Sequence, residues 1–217
     1  MKKTWVIIAV AVVLVLAALL GVSRVVLYTD ETGFHVADRN AAQIYVEKDA
    51  WNFQDIEIQA VNSNIEFITE NRFGFEFMAD NVIDTVYTND NGKLTIIQSS
   101  KDLLFDLNLW STKDNYVKVY IPERAQLKNI KIFGESGPIT IATLKAEHVD
   151  IASASGNITL TLAGEQKDYN SDITAAGGKI TIDGSVVETF QQKNADATKL
   201  LKISAAGGDV TVNFIGQ

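Results

Sequence analysis

The chain has 217 residues and no cysteine, and its 19 bases stand against 27 acids for a formal net charge of -8. Without cysteine there can be no disulfide or lipid-modified cysteine anchor, and a zinc site is improbable. Lys2, Lys3 and Arg24 are the charged residues of the first 24, so the remainder carries 16 bases against 27 acids, or -11, a surface that repels phosphate backbones and gives no expectation of a nucleic acid partner.

Trp5 to Val22 is an unbroken run of 18 apolar or glycine residues behind two lysines. As a helix the run spans roughly 27 Å, close to the hydrocarbon thickness of a bilayer. We therefore expect residues 1–24 to form an uncleaved N-terminal membrane anchor, a single transmembrane helix. The competing reading is a signal peptide cleaved near Gly21-Val22-Ser23, although such apolar regions usually run about 7 to 15 residues. Lys2 and Lys3 against the single Arg24 place the N-terminus in the cytoplasm and the C-terminal domain outside the cell membrane. Residues 25–43 lack a clear pattern and read as a juxtamembrane spacer, and residues 44–217 read as one β ectodomain. Trp51 and Phe53 are expected to cap its first coil, because an open terminal coil exposes unpaired backbone groups.

Between Phe67 and Pro122 apolar residues alternate at Phe73, Phe75, Phe77, at Phe105, Leu107, Leu109, and at Val117, Val119, Ile121. Alternation of this kind marks strands with one buried face, and phenylalanines on one strand face are expected in the core. Alternation puts Trp110 outward, as a contact residue. Asn89-Asp90-Asn91-Gly92 signals a tight turn.

From Ile130 onward one pattern recurs: two apolar residues in alternation, a glycine five positions after the second, then two more apolar residues. Its glycines are Gly137, Gly156, Gly178 and Gly208, spaced by 19, 22 and 30 residues. A fainter copy has Ser63 in the glycine position between Ile58 and Ile65, and a looser one is Val86, Gly92, Leu94, Ile96. The unit is strand, corner, strand. Since one unit cannot bury its own apolar residues, stacked units are expected, as coils of a β-solenoid; the alternative is a β-sandwich joined by glycine turns. If the coils stack in sequence order, the outward residues Lys131, Asp150, Asp172 and Lys202 form a column with a like-charge contact between Asp150 and Asp172. Gly184 to Leu200 interrupts the repeats, and its polar stretch Gln191 to Thr198 reads as a loop or short helix.

The segments Ile56 to Phe67, Asn91 to Ile96, Val117 to Pro122 and the glycine repeats together resemble the bacterial putative-adhesin family of β-strand-repeat envelope proteins. The resemblance covers roughly residues 44–217 and implies a right-handed single-stranded β-helix outside a bacterial cell. It brings no catalytic residue with it.

Chemistry-bearing constellations are few. His35 and His148 are the two histidines and lie in dissimilar contexts, which leaves little for a metal site or catalytic triad. Asp168-Tyr-Asn170-Ser-Asp172 opens like a calcium loop, but Ile173 replaces the required glycine and Lys179 the bidentate acid, so a turn into a strand is expected. Asn157-Ile-Thr159 matches a glycosylation sequon by chance. Thr95, Thr140, Thr159, Thr181 and Thr211 each sit between two inward apolar residues and are expected in one outward rank. No catalytic, cofactor-binding or metal residue is assigned and no cofactor is expected. The expected function is a noncatalytic, membrane-anchored envelope module for binding, adhesion or scaffolding. Its expected partners are the membrane, through the N-terminal helix, and an envelope polysaccharide or protein. The alternatives are an accessory of envelope-stress signalling and an enzyme acting on an envelope polysaccharide.

Overall fold

Alternating β-branched and polar residues make strands nearly everywhere in the computed structural model, which describes residues 24–38, 43–48, 52–108 and 114–216. The apolar run Trp5 to Val22, Trp51 and Trp110 lie outside the described residues. Among those described, no helix is long and apolar enough to cross a membrane.

The chain divides into two compact units, and the first comprises residues 1–43, 79–84 and 100–113. In it β1 (Arg24–Asp30) pairs antiparallel with β2 (Gly33–Asp38) on one side and β9 (Asp102–Asn108) on the other. Val26, Ala79, Val82 and Ile83 form its small core. The stretch expected as spacer is thus largely strand, since β9 supplies a partner that lies far along the chain.

In the second unit the repeats form strand pairs. These are β4 (Asp55–Ala60) with β5 (Ser63–Glu70), β11 (Leu127–Ser136) with β12 (Ile139–Leu144), and β13 (Ala146–Ser155) with β14 (Ile158–Ala163). β15 (Tyr169–Ala175) with β16 (Ile180–Ile182) and β19 (Lys199–Ala205) with β20 (Val210–Ile215) complete the set. The first strand of each pair belongs to a sheet of eight strands and the second to a sheet of nine, and neighbouring pairs are parallel and in register. Each pair is a rung. Inward residues of both sheets share one core: Ile56, Ile130, Val149 and Leu201 line up across the eight-stranded sheet, and Ile65, Ile139, Ile158, Val210 and Ile180 across the nine-stranded one. Each fully buried aliphatic side chain contributes about 1.5 to 3 kcal/mol.

The architecture is all-β. It joins the stacked parallel repeats of the solenoid expectation to the two sheets of the sandwich alternative, and the sequence-order stacking is overturned. Along the eight-stranded sheet the order is β4, β11, β13, β19, β15, so the last rung is inserted between the two that precede it in the chain.

Nor is the β4–β5 rung terminal. β8 (Lys93–Ser100) and then β7 (Ile83–Asp90) continue the first sheet beyond β4; β10 (Asn115–Pro122), β6 (Gly74–Ala79) and β3 (Gln43–Lys48) continue the second beyond β5. Phe53 is fully buried in the core, edge-on to Phe73 at 4.7 Å, and Phe75 and Phe77 are buried as expected. The looser copy at Gly92 is a hairpin turn, with Asn91 at φ 51° and Gly92 at φ 76°. The interruption after Ile182 is strand only in its first part: β17 (Ser185–Val187) and β18 (Phe190–Gln192) pair antiparallel with β16 and β15 and edge the two sheets, whereas residues 193–198, within the polar stretch, form the expected loop.

Candidate functional site

The corners hold the rungs close. A Cβ on Gly156 would fall on the Gly137 carbonyl, one on Gly208 would lie 2.6 Å from the Gly156 carbonyl oxygen, and one on Gly178 would fall on the Gly208 carbonyl. Gly137 in turn lies over the Ser63 carbonyl. All four glycines thus share one position, as expected, but mainly because backbone meets backbone there; φ is positive at Gly137 and Gly208. One residue further on, Asn157 Oδ1 accepts from the Asp209 N–H and Asp209 Oδ1 from the Lys179 N–H, each at 2.8 Å. The sequon asparagine is therefore part of a corner ladder.

The outer face of the nine-stranded sheet carries Thr140, Thr159, Thr211 and Thr181 side by side. Thr95 does not join them: it lies on β8, in the other sheet, next to Glu57. A single file of four threonines is what β-branched packing in a stacked strand would give.

On the eight-stranded sheet the outward column runs Glu57, Lys131, Asp150, Lys202, Asp172, alternating in sign throughout. Lys131 is in register with Asp150 but its ammonium turns the other way, to Glu57 Oε1 at 3.3 Å, while Lys93 reaches Glu57 Oε2 at 2.6 Å. Those two ammoniums, Lys93 first, hold the Glu57 carboxyl below its ordinary range. Next to the column, Ile97 and Phe133 are exposed and border a shallow hollow of about 390 Å³.

The larger cleft lies at the opposite corners, where the chain returns from one rung to the next. It measures about 560 Å³ and is lined by Gln126, Lys145, Gly164, Lys167, Asp168 and Lys199 among others. Gln126, Lys145, Lys199 and Asp168 belong to four successive rungs, so the row spans ~14 Å at the usual strand spacing. Its acids are engaged: Glu165 pairs with Lys167 at 2.5 Å, and Asp168 Oδ2 accepts from the Glu165 N–H at 3.0 Å. Among the described residues neither Lys145 nor Lys199 has an ion-pair partner. Lys199 Nζ stands 5.0 Å above the Tyr169 ring. Burial, with Asp168 adding to it, pushes the Tyr169 hydroxyl up to about 12, and that hydroxyl donates to the Ala146 carbonyl at 3.3 Å.

The residues considered for chemistry each have local partners. His35 bonds Thr32 and stacks on Tyr28, His148 bonds Asn129, and Asp168 ends a 3₁₀ turn (Gln166–Asp168) that leads into β15. Among the described residues no three His, Cys, Asp or Glu side chains are grouped for a metal ion. The cleft was missed in the sequence because its lysines are spread over three rungs and stand next to no motif.

A profile of the family described as Toastrack DUF4097 matches residues 53–214. Among solved structures, a "putative cell adhesion protein" from Clostridium sporogenes is 14% identical with a TM-score of 0.45, over 81% of this chain and 99% of that one. A "putative adhesin" from Bacteroides fragilis is 10% identical with a TM-score of 0.31, over 80% and 96% of the two chains. One from Parabacteroides distasonis is 11% identical with a TM-score of 0.34, over 80% and 71%. No curated protein matches the chain.

Proposed function

Because the chain belongs to the Toastrack DUF4097 family, we propose that it is a noncatalytic binding, adhesion or scaffolding module of a bacterial cell envelope, with its stacked rungs as a β-solenoid-like platform. In this reading residues 1–24 anchor it as a single-pass protein, N-terminus in the cytoplasm, as the run Trp5 to Val22 and the flanking lysines suggest.

The observation that carries the reading is the return-corner cleft, which offers polar and charged groups from four successive rungs while its carboxylates are tied to Lys167 and to backbone. A glycosidase-type site needs one carboxyl free to act as acid and another as base or nucleophile on the same bond. Groups spread along the stack suit holding an elongated ligand better than cleaving it.

The test is to incubate the full chain in detergent with separated envelope fractions, polysaccharide and protein. Retention of a component without change in its chain length is the expected result. Retention of none would defeat the binding reading, and shortened glycan products would favour an enzyme.

A further inference from the structure

We propose that the return-corner cleft binds an acidic glycan and seats an anionic group of it, carboxylate or phosphate, between Lys145 and Lys199. The inference rests on the binding reading above and names its ligand class.

Charge is the first reason. In a chain with 27 acids to 19 bases, this cleft gathers Lys145, Lys167 and Lys199 against Glu165 and Asp168. Lys167 is spent on Glu165, and among the described residues Lys145 and Lys199 have no carboxylate within ion-pair distance, which leaves the cleft with one more base than acid. A partly enclosed pair of ammoniums attracts an anion more strongly than scattered surface lysines do, because solvent screens it less.

Shape is the second. The cleft of about 560 Å³ falls in the usual range of ligand pockets, about 300 to 1,000 Å³, and it runs along the stack. Gly164, at φ +135°, forms part of its wall, and a Cβ there would lie 3.1 Å from Asp168 Oδ2 and 3.3 Å from Lys199 Nζ. A bare backbone at this point keeps the approach to Lys199 Nζ open to a ligand. Asp168 uses Oδ2 for the Glu165 N–H, and its other oxygen, with Gln126, can take sugar hydroxyls. The Tyr169 ring is covered by Lys199 and gives no platform for a neutral sugar, so recognition falls to charge and hydrogen bonds.

The inserted rung makes the site. In sequence order the β15 rung, with Asp168 at its start, would follow directly on the rung of Lys145; insertion of β19 brings Lys199 between them.

The experiment titrates the full chain, in neutral detergent, with polygalacturonate, poly(glycerol phosphate) and uncharged dextran by calorimetry. Binding to at least one acidic polymer is expected, weakening about 10-fold or more between 50 and 300 mM salt as screening shortens. Lys145→Gln with Lys199→Gln should lose at least 10-fold, Lys199→Arg should keep the binding, and Lys179→Gln with Lys193→Gln, outside the cleft, should leave it unchanged. Which acidic polymer binds distinguishes carboxylate from phosphate. Binding of neither, equal binding of dextran, or wild-type affinity in a folded double lysine variant overturns the inference. Retention of a neutral envelope component untouched by the lysine changes would sink this inference alone and leave the binding reading standing.

Discussion

Asp150 lies in register beside Lys202, not beside Asp172, and Lys202 separates the two aspartates. The insertion of the last rung thereby turns a column with one like-charge contact into one of strict alternation. Exposed pairs contribute only about 0 to 1 kcal/mol each, so the column bears on rung order more than on stability.

Double-mutant cycles on Asp150 and Lys202 should show favourable coupling at low salt that fades at high salt, and Asp150 with Asp172 should show close to none. Cysteines at 150 and 202 should cross-link and those at 150 and 172 should not. Preferential linkage of 150 to 172 would contradict the inserted order.

Alanine at Gly156 or Gly178 should cost on the order of 1 to 3 kcal/mol, because the new Cβ meets the carbonyl of the neighbouring rung. Valine should cost more. Ser63 already carries a Cβ in the same column, so alanine there meets no carbonyl and costs only the hydrogen bonds of its buried hydroxyl to Gln98 Oε1 and the Val61 carbonyl. Thermal melts of these variants decide it, and a Gly156→Ala protein that melts like wild type would mean the rungs are not held at the corners.

Glu57→Gln probes the charge column through pH. Since Lys93 and Lys131 lower the folded-state pKa of Glu57, its contribution is present above the unfolded-state value and is lost as pH falls through the folded one. With solvent screening the variant should lose no more than about 1 kcal/mol at pH 7. Wild type and variant should converge once the pH falls below the lowered folded-state value. A gap that widens on acidification would rule out the ion pairs as its source.

Ser171 is buried at an inward position in register with Leu201, and its hydroxyl has no hydrogen-bond partner. Ser171→Ala removes an unpaired polar atom from the core and should raise stability by about 1 kcal/mol. A lower midpoint in denaturant would show that the hydroxyl is satisfied in solution.

The anchor is tested by fractionation. The chain should sediment with membranes, resist extraction by high salt and dissolve in detergent, with its C-terminal part open to protease from outside. A free protein beginning near Arg24 would establish cleavage.

Much of the fold was legible because a period of two needs only local sequence. Ile130, Ile132, Ile139 and Ile141 and their copies in the other three glycine repeats and at Ser63 face the core, while Val86 of the looser copy is exposed; the offset of five identified true corners, since a carbonyl packed against the chain excludes any Cβ. Strands β1 and β2 were not legible, because neither shows clear alternation and β1, on which β2 pairs, has its other partner β9 some seventy residues away.

What the sequence by itself determined is the set of rungs, their inward faces and their corners. Only the tertiary structure decided the order in which they stack. The repeats carry the same apolar pattern at the same offset, so each can pair with any other through backbone hydrogen bonds that do not distinguish side chains. Order is then set by contacts between residues far apart in the chain, Lys202 between Asp150 and Asp172 and Gly208 between Gly156 and Gly178, and by the short strands β17 and β18 that cover the outer edges of β16 and β15. The cleft shared by Lys145 and Lys199 exists for the same reason, and no local pattern records it.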